Sequence, residues 1–223
     1  MKEPTRRNIE DALRFMRVPK SGYEQMRHIA EEGFRQVAKY AQPRKVYATF
    51  PLEVAPDGIS IGDGSITCPS KNLARIFANC KSCIAMAVTL GPAIDRQTQL
   101  LSRTDMAKTI AFDACASVWA DTLCVDVEKE IQAGLSPDEH LTMRYSPGYG
   151  DVPMEFSGDI IKLLDATRKI GLTLSSRGMM IPIKSVTAMV GISPVQESRR
   201  HSCEGCSPQN CPYRRDGDVC YEN

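Results

Sequence analysis

Apolar positions along the first forty residues recur at helical spacing. Ile9, Ala12, Leu13 and Met16 predict a helix to about Arg17, with Asn8 as its cap. Met26, Ile29, Ala30, Phe34 and Val37 predict a second helix ending near Ala41, before Pro43. Ser21 and Glu24 have the spacing of a capping box at its start. The period then switches to two. Val46, Ala48, Phe50, Leu52 and Val54 alternate, as do Ile59 and Ile61, with Pro56-Asp57-Gly58 between the two runs. That pattern predicts a β-hairpin.

Ser70 to Ala78 reads as a helix, and the run from Cys83 to Leu90 as a strand inside a sheet. Gly91-Pro92 ends the strand and opens a helix to about Ser102. From Thr104 or Asp105 to Gln132 the pattern supports one helix of about 28 residues, ~40 Å at 1.5 Å per residue. Ile110, Ala114, Val118, Trp119, Leu123 and Val125 distribute apolar surface around much of it, which predicts a buried central helix. Ser157 to Arg168 reads as a helix stopped by Gly171. Met179 to Ile192, interrupted by Pro182, reads as an edge strand or an irregular strand pair. Beyond Pro194 the composition turns charged and cysteine-rich, so the expected boundary separates a domain over 1–194 from a tail over 195–223.

A chain of 223 residues is long enough to bury a full core. Its net charge of +1 gives no electrostatic case for nucleic acid or an anionic membrane. No stretch is apolar enough to span a bilayer, and Met1-Lys-Glu-Pro-Thr-Arg-Arg7 leads into no hydrophobic run. A cytoplasmic location is expected. Nine cysteines without an export signal argue against a disulfide scaffold. Cys68, Cys80, Cys83, Cys115 and Cys124 lie among apolar residues and read as reduced core residues, although Cys80-x-x-Cys83 also has the spacing of a redox or metal pair.

The densest chemistry lies between the long helix and the next one. Arg144-Tyr145-Ser146-Pro147-Gly148-Tyr149-Gly150-Asp151 combines a permanent cation, two aromatic rings, two glycines and a proline. Arg144 offers a planar fork of donors for a carboxylate or phosphate, and the glycines allow a ligand close to the main chain. Tyr145 and Tyr149 each present an apolar ring with a polar tip. One reading is a site for a small ligand with a carboxylate at one end and a flat ring at the other. The other is a Pro-Gly turn with Arg144 paired to a surface acid. Asp113, Ser117 and Asp121 share one stripe of the long helix. Either they face water, or they face this loop and receive the cationic end of a ligand.

Four more cysteines crowd the end of the chain. Two residues separate Cys203 from Cys206, four separate Cys206 from Cys211, and eight separate Cys211 from Cys220. Four thiolates meet the ligand count of an all-cysteine zinc site or a [4Fe–4S] cluster, and spacing does not choose between them. An unliganded tail with reactive thiols is the remaining reading.

Arg144-Tyr-Ser-Pro-Gly-Tyr149 resembles the Arg-Pro-Ala-Pro-Gly-Tyr signature of the activation domain of cobalamin-dependent methionine synthase. The long helix before it, and Met180-Ile-Pro182-Ile-Lys-Ser185-Val186 after it, follow in the same order, so the resemblance covers roughly 5–194. It implies an α+β domain with a central antiparallel sheet that binds S-adenosylmethionine and presents its methyl group to a corrinoid. When the Co(I) corrinoid oxidises to inactive Co(II), an external electron and the sulfonium methyl restore methyl-Co(III). Arg144 would hold the ligand's carboxylate, the main chain around Ser146 and Gly148 its adenosyl moiety, and Tyr149 the nucleoside or methionine portion.

Three departures accompany the resemblance. Where the family has a carboxylate on the long helix, Ser117 stands here, with Asp113 and Asp121 one turn to either side. A family tyrosine after Ser-Val falls near Val190. The family also carries methyltransferase and cobalamin domains on one polypeptide. This chain would instead act in trans, as a methyltransferase component reactivating a separate corrinoid protein, with a flavodoxin or ferredoxin as electron donor. Two other classes remain open: an iron–sulfur redox protein with the α+β body as scaffold, and a non-catalytic partner of a corrinoid protein.

Overall fold

The computed structural model describes residues 3–196. In chain order the elements are α1 (Arg6–Phe15), α2 (Tyr23–Tyr40), β1 (Arg44–Ala55), β2 (Gly58–Ile61), β3 (Ile66–Cys68), α3 (Lys71–Ile76), β4 (Ser82–Thr89), α4 (Pro92–Ser102), α5 (Met106–Ala133), β5 (His140–Leu141), α6 (Phe156–Leu163), α7 (Ala166–Ile170), β6 (Thr173–Leu174), β7 (Met180–Ile181) and β8 (Ser185–Ser193). The architecture is α+β with a central antiparallel sheet of six strands in the order β3-β2-β1-β4-β8-β5. The described residues form two compact units, one of residues 3–44, 88–125 and 170–186, the other of 45–87, 126–169 and 187–196.

The first unit is mainly helical. Its core gathers Ile9, Leu13, Phe34, Val37, Leu90, Phe112 and Trp119. Full burial of each such side chain contributes about 1.5–3 kcal/mol. Phe34 and Trp119 meet edge to face, with ring centroids 5.5 Å apart. At Gly33 of α2 an added Cβ would stand 2.7 Å from Cys115 Sγ and 3.2 Å from the Ala111 carbonyl oxygen, so α2 lies directly on the α5 main chain.

Both N-terminal caps differ from expectation. Thr5, not Asn8, caps α1: Asn8 N–H donates to Thr5 Oγ1 while Thr5 N–H donates to Asn8 Oδ1. This reciprocal box satisfies two end donors, which Asn8 alone as a cap would not. Helix α2 begins without a side-chain cap, because Ser21 sits inside a 3-10 turn over Lys20–Gly22 and Gly22 takes the cap position.

The same unit holds the β6–β7 hairpin, in which Thr173 pairs with Ile181 and Leu174 with Met180. The Ile181–Pro182 peptide is cis. Ile183 N–H then donates to Asp95 Oδ2 of α4 at 2.9 Å. The expected irregular strand pair thus resolves into a short hairpin strand and the longer β8.

The second unit carries the body of the sheet. β1 and β2 form the anticipated hairpin, with Leu52 opposite Ile61 and Ala55 opposite Gly58. β3 adds antiparallel to β2, Ile59 opposite Cys68. Its three residues are too few to show a period in the sequence. β5 pairs antiparallel with β8, His140 opposite Ser193 and Leu141 opposite Ile192. The helix expected over Ser157–Arg168 is two helices, because the chain turns at Asp165 with φ +51°.

Cys68, Cys80, Cys83, Cys115 and Cys124 are buried free thiols. Burial pushes Cys83 and Cys115 up to about 12, and Cys68 to about 11. Both thiols of Cys80-x-x-Cys83 are buried. The tail cysteines Cys203, Cys206, Cys211 and Cys220 lie outside the described residues. Among those that are described, no helix is long and apolar enough to cross a membrane.

Candidate functional site

The Arg144 loop is built into the second unit from both ends. Its entry runs beside β8. Thr142 N–H donates to the Gly191 carbonyl at 2.9 Å, and Gly191 N–H returns a bond to Thr142 Oγ1 at 2.8 Å. Tyr145 and Met189 then exchange main-chain bonds, N–H to carbonyl in both directions, at 2.9 and 2.8 Å. A mutually bonded antiparallel pair of this kind fixes the backbone on both sides of Tyr145.

Arg144 stands between these two attachments. Its Nη1 donates to Glu128 Oε1 at 2.8 Å, and the two side chains retain only 17% and 11% of their exposure. Glu128 belongs to the last turns of α5. A charge pair so withdrawn from water is costly to break from one side. The acid anticipated for Arg144 exists, and it is largely buried.

Beyond Pro147 the chain closes into a tight turn. Gly148 N–H donates to the Val152 carbonyl at 2.9 Å, and Val152 N–H donates to the Tyr149 carbonyl at 3.0 Å. Gly148 has φ +87° and Gly150 φ +55°, conformations that glycine adopts without steric cost. An added Cβ at Gly148 would meet the Met154 thioether methyl at 2.6 Å; at Gly150 it would collide with the Tyr145 hydroxyl and the Asn72 amide. Tyr149 remains 63% exposed.

The turn ends on Asp151, which binds the start of α3. Ser70 Oγ donates to Asp151 Oδ1, and the N–H groups of Lys71 and Asn72 donate to Oδ2 at 2.8 and 3.3 Å. Ser70 Oγ in turn accepts from Leu73 N–H as the helix cap. Burial pushes the Asp151 carboxyl up, but the Ser70 hydroxyl and the Asn72 and Lys71 amides outweigh it and hold the group below the usual carboxylate range.

The polar stripe of α5 has a partner of its own in the first unit. Lys184 Nζ stands 2.8 Å from Asp113 Oδ1 and donates to Ser117 Oγ at 2.9 Å. Ser117 Oγ also donates to the Asp113 carbonyl, one turn back. Asp121 lies in the same unit, partly buried. Lys184 comes from the Met180–Val186 stretch, so two features read separately in the sequence meet here. Val190, where the tyrosine was expected, is fully buried in β8.

Sequence reasoning did not single out Glu128, or Ser70 and Asn72 as supports of the loop. Nothing local marks Glu128, which sits in an ordinary Glu-Lys-Glu run. Asp151 was in plain view at the end of the loop, with no role attached to it.

Comparison with known proteins bears on this arrangement. Residues 81–212, more than half of the chain, match the family described as vitamin B12 dependent methionine synthase, activation domain. The matched span includes β4, all of α5, the Arg144 loop and β8. A crystal structure of the MetH reactivation domain bound to AdoHcy is similar with a TM-score of 0.61 and 16% identity, over 89% of this chain and 72% of that one. At that identity the likeness is one of fold. A search of curated proteins returns no match. On the span and order of these matched elements, the chain belongs to the activation-domain family of vitamin B12-dependent methionine synthase.

Proposed function

We propose that this chain binds S-adenosylmethionine at the Arg144–Asp151 loop and supports reductive methylation of a corrinoid cofactor on a separate cobalamin-dependent methyltransferase. The observation that carries the reading is Arg144, oriented by Glu128 at the head of a loop whose residues Gly148 to Gly150 are exposed. In a member of the activation-domain family, this is a suitable cradle for an amino-acid nucleotide.

The residues suit the ligand's parts. The guanidinium of Arg144 is permanently charged and planar, and would meet the carboxylate. Main-chain groups around Ser146 and Gly148 would meet the adenosyl group, with the Met154 thioether standing where a side chain at position 148 would be. Tyr149, with the thioether of Met154 beside Gly148, offers polarizable apolar surface to a flat ring. The bound sulfonium supplies an activated methyl group. The protein's part is to bind and orient, which needs no general acid or base. An electron donor such as a flavodoxin or ferredoxin would act from outside.

Calorimetric titration of S-adenosylmethionine into anaerobically purified protein tests the reading. Binding by the wild type, weakened at least about tenfold in Arg144→Ala, is expected for loss of a charge-assisted contact. Equal affinity in the two proteins rejects the site. Metal content of the same sample reads whether Cys203, Cys206, Cys211 and Cys220 hold zinc or an iron–sulfur cluster.

A further inference from the structure

The Arg144 loop has two separate sets of attachments. Its first half is fixed by the Arg144–Glu128 pair and by the two main-chain bonds between Tyr145 and Met189. Its second half has an anchor of its own, although Gly150 also packs against the Tyr145 side chain. The turn over Gly148 to Val152 is tied down by Asp151, which gathers a hydroxyl and two main-chain N–H groups at the start of α3. Gly150 rests against the Tyr145 hydroxyl and the Asn72 amide, so the turn fits only while α3 stays where Asp151 holds it.

We infer that Asp151 is a positioning residue for the adenosyl half of the ligand, acting independently of the carboxylate contact at Arg144. The inference rests on the binding reading given above and divides the site into two levers. Asp151 touches no ligand itself. It sets the main chain of Ser146 to Gly148 and the ring of Tyr149. Removing the Asp151 charge lets the turn lift from α3, while Arg144 keeps its orientation through Glu128 and through the Tyr145–Met189 pair upstream. The loss should therefore fall on whatever binds the nucleoside and spare whatever reads the carboxylate.

Two probes separate the halves: S-adenosylmethionine, and its decarboxylated form, which keeps the nucleoside and sulfonium but lacks the carboxylate. Wild-type protein should prefer the carboxylated ligand. Asp151→Asn, nearly isosteric but a poorer acceptor for three donors, should weaken both ligands by a similar factor of about tenfold and leave their ratio unchanged. Arg144→Ala should do the opposite and abolish the preference. Ser70→Ala, which removes one donor to Asp151, should move both affinities in the direction of Asp151→Asn by a smaller factor. It serves as the readout if Asp151→Asn does not fold, with melting temperatures of all variants measured alongside.

Asp151→Asn binding both ligands as tightly as wild type would overturn the inference alone. So would an Asp151→Asn protein that loses the preference for the carboxylate, because the loop would then be one lever. A wild-type protein that binds neither ligand overturns the binding reading itself, before any variant is compared.

Discussion

Glu128 and Arg144 lie sixteen positions apart in sequence and 2.8 Å apart in space, one on the last turns of α5 and the other at the head of the loop. The pair couples a helix end to the head of the loop, and both side chains are largely buried. Glu128→Ala should therefore lower stability by about 3 kcal/mol, the scale of breaking a buried pair from one side. Urea unfolding checks this. A loss below about 0.5 kcal/mol would mean that the pair behaves as an exposed one.

Asp113 and Lys184 are the contrasting case. Asp113 keeps 49% of its side-chain exposure, so water competes for its charge. Asp113→Asn should cost no more than about 1 kcal/mol, and the difference from wild type should shrink in high salt. Denaturation at low and high ionic strength reads both.

Gly150 and Gly64 share a left-handed conformation in different surroundings. Gly64 has φ +85° and nothing within 4 Å of an added Cβ, whereas Gly150 has φ +55° and two side chains in the way. Gly64→Ala should cost about 1–2 kcal/mol from backbone strain alone. Gly150→Ala should cost more and should also weaken S-adenosylmethionine. Equal costs in thermal unfolding would show that the Asn72 and Tyr145 side chains simply move aside.

Cys83 and Cys115 give a pH dependence with a definite sign. Folded, their thiols are pushed up to about 12 by burial, against an ordinary value near 9. The folded state therefore holds these protons more tightly than the unfolded chain. Their contribution is fully present below pH 9, and is lost progressively between pH 9 and 12 as the unfolded thiols ionise. Stability of the reduced protein should fall over that window, and Cys115→Ala should flatten part of the fall. No change in slope for that variant would mean that other groups set the alkaline limit.

Much of the fold was legible because its signals are local and repeated. The 28 residues of α5 show an unbroken pattern with neither glycine nor proline before Gly134, and the β1–β2 hairpin shows a clean change of period around Pro56-Asp57-Gly58. The loop at Arg144 stood out by composition. What escaped were features created by distant partners. Glu128 gains its meaning only from Arg144, and Asp151 only from Ser70 and the start of α3, 81 positions away. The Lys184 contact with Asp113 and Ser117 joins two stretches that sequence spacing could not bring together. The break at Asp165 lacks the glycine or proline that usually announces one.

At Gly33 α2 brings no side chain to its seam with α5, where Cys115 Sγ and the Ala111 carbonyl fill the space, so the pair has no slack along that seam. Sliding one helix would drag the other, and the two should open or shift only as a single body. Trp119 is the chain's only indole, and it sits on α5 edge-on to Phe34 of α2. Its emission should therefore act as a gauge of that seam, steady until the two helices part.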